Sequence, residues 1–426
     1  MFRHIIIATM AVALCIGASM TAHGDDFQAA AALRMITPDP LLPISGGVGT
    51  PAPVTEKKGD LFVRVLVMEK GDTRVALVSI DNLGWPKYWG DKTRALVPRI
   101  PAENILIGAT HGHSAPDAYA FPDLQGEHHA DLDYLQWVCE QMAEAINEGL
   151  DNLRPAGLKI AVDEAKGKIA YNYYAPILYD PRNSVLQAVD AADDTVIATL
   201  VNYAIHPEVL GPGRGILSPD LCGPLYDRIE EEVGGVAMFI PGALGGMITA
   251  DNRTEEGGGD ARTWEECVRI GQLLADESLR IIADAPVQTA PTLFCAARDL
   301  TLPIDSPLIR LVMRNSPMAD QMDSFEEVTT QMNVLNVGSA QMLTMPGEVL
   351  PNLGYYLKRN MPGDHIFLLG LTNDAFGYIM TKYDFDSFKR YEYISRTSLG
   401  EMTGEIFVEE ALQLVADSPQ PDPMPQ

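Results

Sequence analysis

Positive charge is in short supply in this sequence: 31 lysines and arginines stand against 58 aspartates and glutamates in 426 residues, a formal net charge of −27. Such a chain repels phosphate backbones, which argues against nucleic acid as a partner. Cysteine is scarce as well, five residues in all, and no two are spaced as CxxC, which excludes the common cysteine-rich zinc sites. Beyond residue 24 only Cys139, Cys222, Cys267 and Cys295 remain. In an oxidising compartment they allow one or two disulfides, and their wide spacing is equally compatible with four buried free thiols. There is no internal repeat and no long linker. Past the first two dozen residues no apolar run approaches the roughly 20 residues that a spanning helix requires.

Those opening residues, "MFRHIIIATMAVALCIGASMTAHG", join an early Arg3 to an apolar stretch and small residues near position 24. This is the pattern of a secretory signal over 1–24, and it predicts export to a periplasmic or extracellular space. Its removal takes the net charge to −28, because Arg3 is the only counted charge it carries. Residues 25–416 then read as one domain, with 46% hydrophobic content across the chain to fill a large core. The last ten residues, "DSPQPDPMPQ", are polar and proline-rich and predict a flexible tail over 417–426.

Short runs rich in β-branched residues recur, among them "LFVRVLVME", "RVALVSIDNLG", "NILIGAT", "LKIAVDEA", "TVIATLVNYAIH", "VAMFIPGA" and "HIFLLGLTND". Each contains or soon runs into Gly, Pro, Asp or His, the residues that bound strands. Helical periodicity appears in 131–150, 220–233, 264–284, 349–359 and 400–415. The alternation is loose, so the expected fold class is α/β: mixed β-sheets flanked by helices. Polar groups cluster at the exits of the strand-like runs. His111 and His113 follow "ILIGAT", His206 follows "VIATLVNYAI", Glu348 follows "AQMLTMPG" and Asn373 follows "IFLLGLT". If these strands lie side by side, the groups converge, since ligand sites in α/β sheets gather at strand ends.

Six histidines lie beyond residue 24, and His111 and His113 are one residue apart. In extended backbone, residues i and i+2 point the same way, so both could enter one cleft. Imidazoles and a carboxylate are what a catalytic zinc site uses. A metallo-β-lactamase-like HxHxDH pattern fails here at Ala115 and Pro116, and an amidohydrolase barrel would need more strand-end histidines than His206 alone. Taken singly, each residue also has a structural reading. His206 could end a strand, Glu348 could favour a helix N-terminus, and Tyr378 and Tyr391 could be packing residues. Asp81 and Asp220 could orient a ligating imidazole, although Asp220 reads better as the N-cap of the helix after it. His128 and His129 in "GEHHADLD" read as loop residues.

The ordered segments "ATHGHSAPD", "NYAIHPEVLG", "MPGEVLPNLG" and "GLTNDAFGYIMTKYDF…RYE" together resemble the neutral, non-lysosomal ceramidases and their bacterial relatives, over roughly residues 55–395. The resemblance implies the neutral-ceramidase catalytic-domain fold across 25–416, here without the C-terminal immunoglobulin-like domain. It implies a zinc ion held by His111, His206, Glu348 and Tyr378, with His113 and Tyr391 beside the scissile bond. The implied activity is hydrolysis of an N-acyl amide, ceramide or a related lipid amide, by a zinc-activated water attacking the carbonyl. The partner is then a lipid-like substrate, with at most peripheral membrane contact.

The sequence departs from the family around the substrate. Ile248 stands at the family's serine, with Thr249 one position on, Gly246 at its acidic residue and Tyr173 at its arginine. Hydrolysis of a different amide or ester, and a lipid-binding relative without turnover, are the alternatives these changes leave open.

Overall fold

The computed structural model describes residues 26–47, 49–122, 126–254, 259–319 and 324–424. The proposed signal segment 1–24 lies outside the described residues. Two sheets form the centre. The larger has eight strands in the order Val236–Pro241, Val196–Tyr203, Arg182–Asp190, Arg154–Glu164, Gln28–Met35, Phe62–Lys70, Thr73–Ile80 and Ile105–Ala109. Its outermost pair at each end is parallel and every pair between is antiparallel. The smaller sheet runs Leu293–Pro303, Glu327–Val337, Ala340–Thr344 and His365–Leu369, also mixed. The expected α/β class with mixed sheets is what the chain adopts.

Strand periodicity explains the layers. In the Phe62–Lys70 strand, Val63, Val65 and Val67 pack beneath the helices Leu132–Asp151, Cys222–Val233 and Trp264–Ile282, through Leu135, Val138, Leu225 and Leu274. Leu66 and Met68 face the other way and meet Leu335, Met342 and Phe367 of the second sheet. That sheet's far side, with Leu343 and Leu368, is covered by Leu357 of the Pro351–Asn360 helix and Phe407 of the Thr403–Asp417 helix. The order is therefore helices, sheet, sheet, helices.

One expectation fails in an informative way. The strands that deliver His111 and His206 are not neighbours; they lie near opposite ends of the eight-stranded sheet. The sheet coils until its ends approach each other, as strongly twisted sheets do. The Ser79 hydroxyl donates to the Phe239 carbonyl (2.6 Å). Residues 370–373 then bridge the gap. Gly370 N–H donates to the Pro241 carbonyl (2.7 Å), Ala109 N–H to the Leu371 carbonyl (3.1 Å) and Asn373 N–H to the Ile107 carbonyl (2.7 Å).

Cys139, Cys222, Cys267 and Cys295 are all free, so no disulfide contributes among the described residues. Asp417 ends the Thr403–Asp417 helix, and beyond it the Asp422 carboxylate accepts from Thr292 N–H (2.8 Å) and the Pro419 carbonyl accepts from Asn336 (2.7 Å). No helix among the described residues is long and apolar enough to cross a membrane.

Candidate metal centre

His111, His113 and His206 meet with one ring nitrogen of each within 4.8 Å of the others, and His111 and His113 border a cavity. Each ring is oriented by a main-chain carbonyl. His111 Nδ1 lies 2.7 Å from the Leu83 oxygen, His113 Nδ1 3.0 Å from the Gly46 oxygen and His206 Nδ1 2.7 Å from the Ile248 oxygen. A carbonyl only accepts, so each Nδ1 carries the hydrogen and each Nε2 presents its lone pair to the shared space. Asp81 does none of this orienting. Its carboxylate accepts from Phe62 N–H (2.9 Å) and the Tyr226 hydroxyl (3.2 Å), away from the imidazoles.

Glu348 completes the set. It lies on the short strand Gly347–Val349, in parallel register with Tyr378 on Phe376–Ile379. Its Oε2 is 3.2 Å from His206 Nε2 and 3.6 Å from His111 Nε2. With each Nε2 unprotonated these are acceptors facing acceptors, an arrangement that needs a metal ion or a proton between them. His113 Nε2 is likewise buried and without a hydrogen-bond partner. An ion bonded tetrahedrally to nitrogen and oxygen at about 2.0–2.1 Å keeps its ligand atoms roughly 3.3–3.4 Å apart, which matches the Glu348 contacts. The donor set, imidazole nitrogens plus a carboxylate, suits zinc.

Electrostatics point the same way. Burial works against the Glu348 charge, yet the His111 and His206 rings beside it hold its carboxyl well below the usual carboxylate range. Burial opposes a charge on His206, but the Glu348 and Glu208 carboxylates raise its pKa overall. His113 is pushed down to about 3, by burial first and by the neighbouring His111 second, so it stays neutral with a bare Nε2.

The backbone around the centre is held tightly. Beyond its ring contact, Ile248 uses the same carbonyl to accept the His206 N–H (2.8 Å), and His113 N–H donates to the Pro207 carbonyl (3.1 Å). His111 has φ 65° and Met247 φ 63°, left-handed values that cost a non-glycine residue roughly 1–2 kcal/mol. A Cβ on Gly245 would sit 2.2 Å from the Glu348 carbonyl oxygen, so only glycine lets that loop press against the ligand strand. Asp220 is no helix cap, since Leu221 precedes the helix and makes no side-chain cap bond. Its buried carboxylate instead straps the turn after His206, accepting from Val209 (3.2 Å), Leu210 (2.9 Å) and Leu221 (2.8 Å) N–H groups.

The other named residues divide. The Tyr378 hydroxyl is against the Met247 sulfur (3.2 Å) and hydrogen-bonds Glu348; burial and the Glu348 charge push its pKa up. Tyr391 packs on Tyr174 and Phe388 and is not on the cavity wall, whereas Tyr393, two residues on, is. Asn373 is a buried structural tie: its carbonyl oxygen accepts from Arg94 (2.9 Å) and Ile107 N–H (3.2 Å). Sequence reasoning missed Glu208. Its Oε2 lies 3.9 Å from His113 Nδ1, and its carboxylate is held by the Thr249 hydroxyl. The signal was present, because Glu208 stands two residues after His206, the spacing of the HxH pair itself.

The cavity above the centre measures about 900 Å³. Tyr119, Tyr378 and Tyr393 border it near the histidines, and Ile309, Val312 and Met313 form an apolar wall. These last three share one face of the amphipathic helix Pro307–Arg314.

No protein-family model matches the sequence. No curated protein matches it either. Solved structures do. Neutral ceramidase from Pseudomonas aeruginosa superposes with a TM-score of 0.74 at 17% identity, over 95% of this chain and 77% of that one. A ceramidase complexed with C2 gives 0.75 at 16% identity over the same shares. The chain has the neutral ceramidase fold. At such low identity the likeness establishes the ceramidase architecture alone, and the chemistry rests on the centre just described.

Proposed function

We propose that this protein is an exported, zinc-dependent hydrolase of the neutral ceramidase type, acting on an N-acyl amide with a long acyl group. The observation that carries the reading is the convergence of bare acceptor atoms on one point at the floor of a largely apolar cavity. His111, His206 and Glu348 would hold the ion, with Tyr378 beside Glu348 as the fourth side chain that the resemblance names. When bound, zinc polarises a carbonyl and lowers the pKa of a coordinated water.

The chain's own residues do the rest. His113 Nε2, fixed bare by the Nδ1 bond to Gly46, accepts a hydrogen bond from the water or from the amide N–H and so orients it. A tyrosine of the 391–393 turn donates to the oxygen that gains charge in the transition state. Burial holds Tyr393 at about 12, so that phenol keeps its proton at neutral pH. Ile309, Val312 and Met313 receive the acyl chain and exclude water from the reacting bond. The signal-like segment 1–24 supports export, which N-terminal sequencing of protein recovered from outside the cytoplasm would test.

The deciding experiment is elemental analysis of the purified protein together with a panel of N-acyl amides and esters of graded chain length. One zinc per chain and amide turnover, both lost in His206→Ala, is the expected result. Lipid bound without product would instead favour a non-catalytic relative, the reading that Ile248 at the family's serine position supports.

A further inference from the structure

Large apolar side chains stand in water beside the cavity. Ile177 is 94% exposed, Tyr383 76%, Phe388 60% and Tyr173 58%, with Leu178 and Tyr393 also exposed. They belong to two loops that touch. Tyr173 meets Tyr174, Tyr174 meets Tyr391 (5.1 Å) and Tyr391 meets Phe388 (5.5 Å). Arg390 locks the loops together, donating to the Tyr173 carbonyl (3.4 Å) with its guanidinium 5.5 Å from the Tyr174 ring centre. Tyr393 continues the ridge into the cavity, where its ring lies 6.0 Å from that of Tyr378.

Leaving this much aromatic and aliphatic surface in water is unfavourable unless something covers it. The charge of the same segment departs from that of the chain. Residues 382–396 contain four basic residues (Lys382, Lys389, Arg390, Arg396) and three acidic ones (Asp384, Asp386, Glu392), in a protein with nearly twice as many acids as bases overall. Neither Lys389 nor Arg390 is paired with a carboxylate among the described residues. Tyrosine and phenylalanine flanked by basic side chains is the chemistry that settles at a lipid–water boundary. A second cavity-bordering element adds to it: the Pro307–Arg314 helix exposes Leu308 and Leu311 while its other face lines the cavity.

We propose that the 173–178 and 383–393 loops form a docking surface for an anionic phospholipid interface, seating the cavity mouth on the lipid layer. Ile177, Phe388 and Tyr383 enter the acyl region, and Lys389 and Arg390 meet the headgroup phosphates. The surface stands on exposure and charge, and rests on the proposed hydrolase reading only for what the cavity would draw from the layer.

The test is co-sedimentation of the full chain with vesicles of mixed phosphatidylcholine and phosphatidylglycerol, alongside light scattering for oligomeric state. The wild type is expected to sediment with the vesicles as a monomer, and more weakly at high salt. Ile177→Asp with Tyr383→Asp should lower partitioning on the order of 100-fold, roughly tenfold for each lost anchor. Zinc content and hydrolysis of any soluble short-chain amide should stay unchanged in that double variant. A wild type that stays in the supernatant, partitioning equal in both proteins, or a dimer abolished by the same substitutions would each overturn the proposal. Vesicle binding is read without turnover, so absence of amidase activity would refute the hydrolase reading and leave this result standing on its own.

Discussion

Zinc added to metal-stripped protein should displace a proton, and the structure says how much. His206 Nδ1 is committed to the Ile248 carbonyl, while its Nε2 lies 3.2 Å from Glu348 Oε2. Without a metal a proton must occupy that gap, and the His206 pKa is accordingly raised above 6.5. At pH 6.5 the ring is therefore more than half protonated, so each ion that binds should release more than about half a proton from it. His113, held near 3, is already deprotonated and contributes none. In Glu348→Gln one of the two carboxylates that raise His206 is gone, only Glu208 and the Ile248 carbonyl are left to oppose burial, and the release should fall below that of the wild type. Titration calorimetry in buffers of different ionisation enthalpy reads the proton count as the slope of observed heat against buffer enthalpy. A wild-type heat independent of buffer, or an undiminished slope in Glu348→Gln, would refute the arrangement.

Glu208→Gln should keep its zinc, as measured by elemental analysis, while losing roughly tenfold in amide turnover, the cost expected when a group behind an active-site histidine is neutralised; metal loss, or unchanged kcat, would argue against this placement. Gly245→Ala should cost at least about 1–3 kcal/mol of stability and weaken zinc binding, because the new Cβ collides with the Glu348 main chain; normal zinc affinity would show that the loop yields freely. Asp374 is a third case. Burial raises its carboxyl to about 6, above its ordinary 3.8, so the folded state binds the proton more tightly and stability falls as pH rises from about 4 to about 6. Its Oδ1 accepts from Lys87 (3.1 Å) and Ala375 (2.9 Å) N–H groups, bonds that an asparagine carbonyl can keep. Asp374→Asn should therefore gain on the order of 1–3 kcal/mol at pH 7.5 in denaturant unfolding, with the gain shrinking towards pH 5. A gain equal at both pH values would contradict the assigned shift.

How much of this was legible depended on range. "LFVRVLVME" and "TVIATLVNYAIH" announced their strands because their own side chains favour pleated, buried backbone. Gln28–Met35, "QAAAALRM", gave no such signal. Its alanines favour helix, and it becomes a strand in the middle of the large sheet because Phe62–Lys70 pairs with it along its whole length. The convergence of His111 and His206 was inferred from strand ends, but the reason given was wrong, since no local pattern reports that an eight-stranded sheet coils far enough to bring its ends together. Tyr393 was missed for a similar reason. In "RYEY" two tyrosines stand two residues apart, and only the backbone around them decides that the Tyr393 ring faces the cavity while Tyr391 packs on Phe388.

The departures at the substrate side also acquire a physical account. The resemblance sets Ile248 at the ceramidase serine position, and the histidine cluster is held only by the main chain of that residue. Its carbonyl receives both the His206 N–H and the His206 ring. Any side chain that preserves the backbone path therefore leaves the imidazole oriented, and Ile248 itself is buried in the core. The hydroxyl at Thr249, one position on, donates to Glu208 behind His113. Thus the orientation of the three imidazoles is independent of which side chains stand at these positions, and the fold is shared with the ceramidase structures at 16–17% identity. Main-chain carbonyls at Leu83, Gly46 and Ile248 set the three imidazoles, and side-chain substitution does not remove a carbonyl.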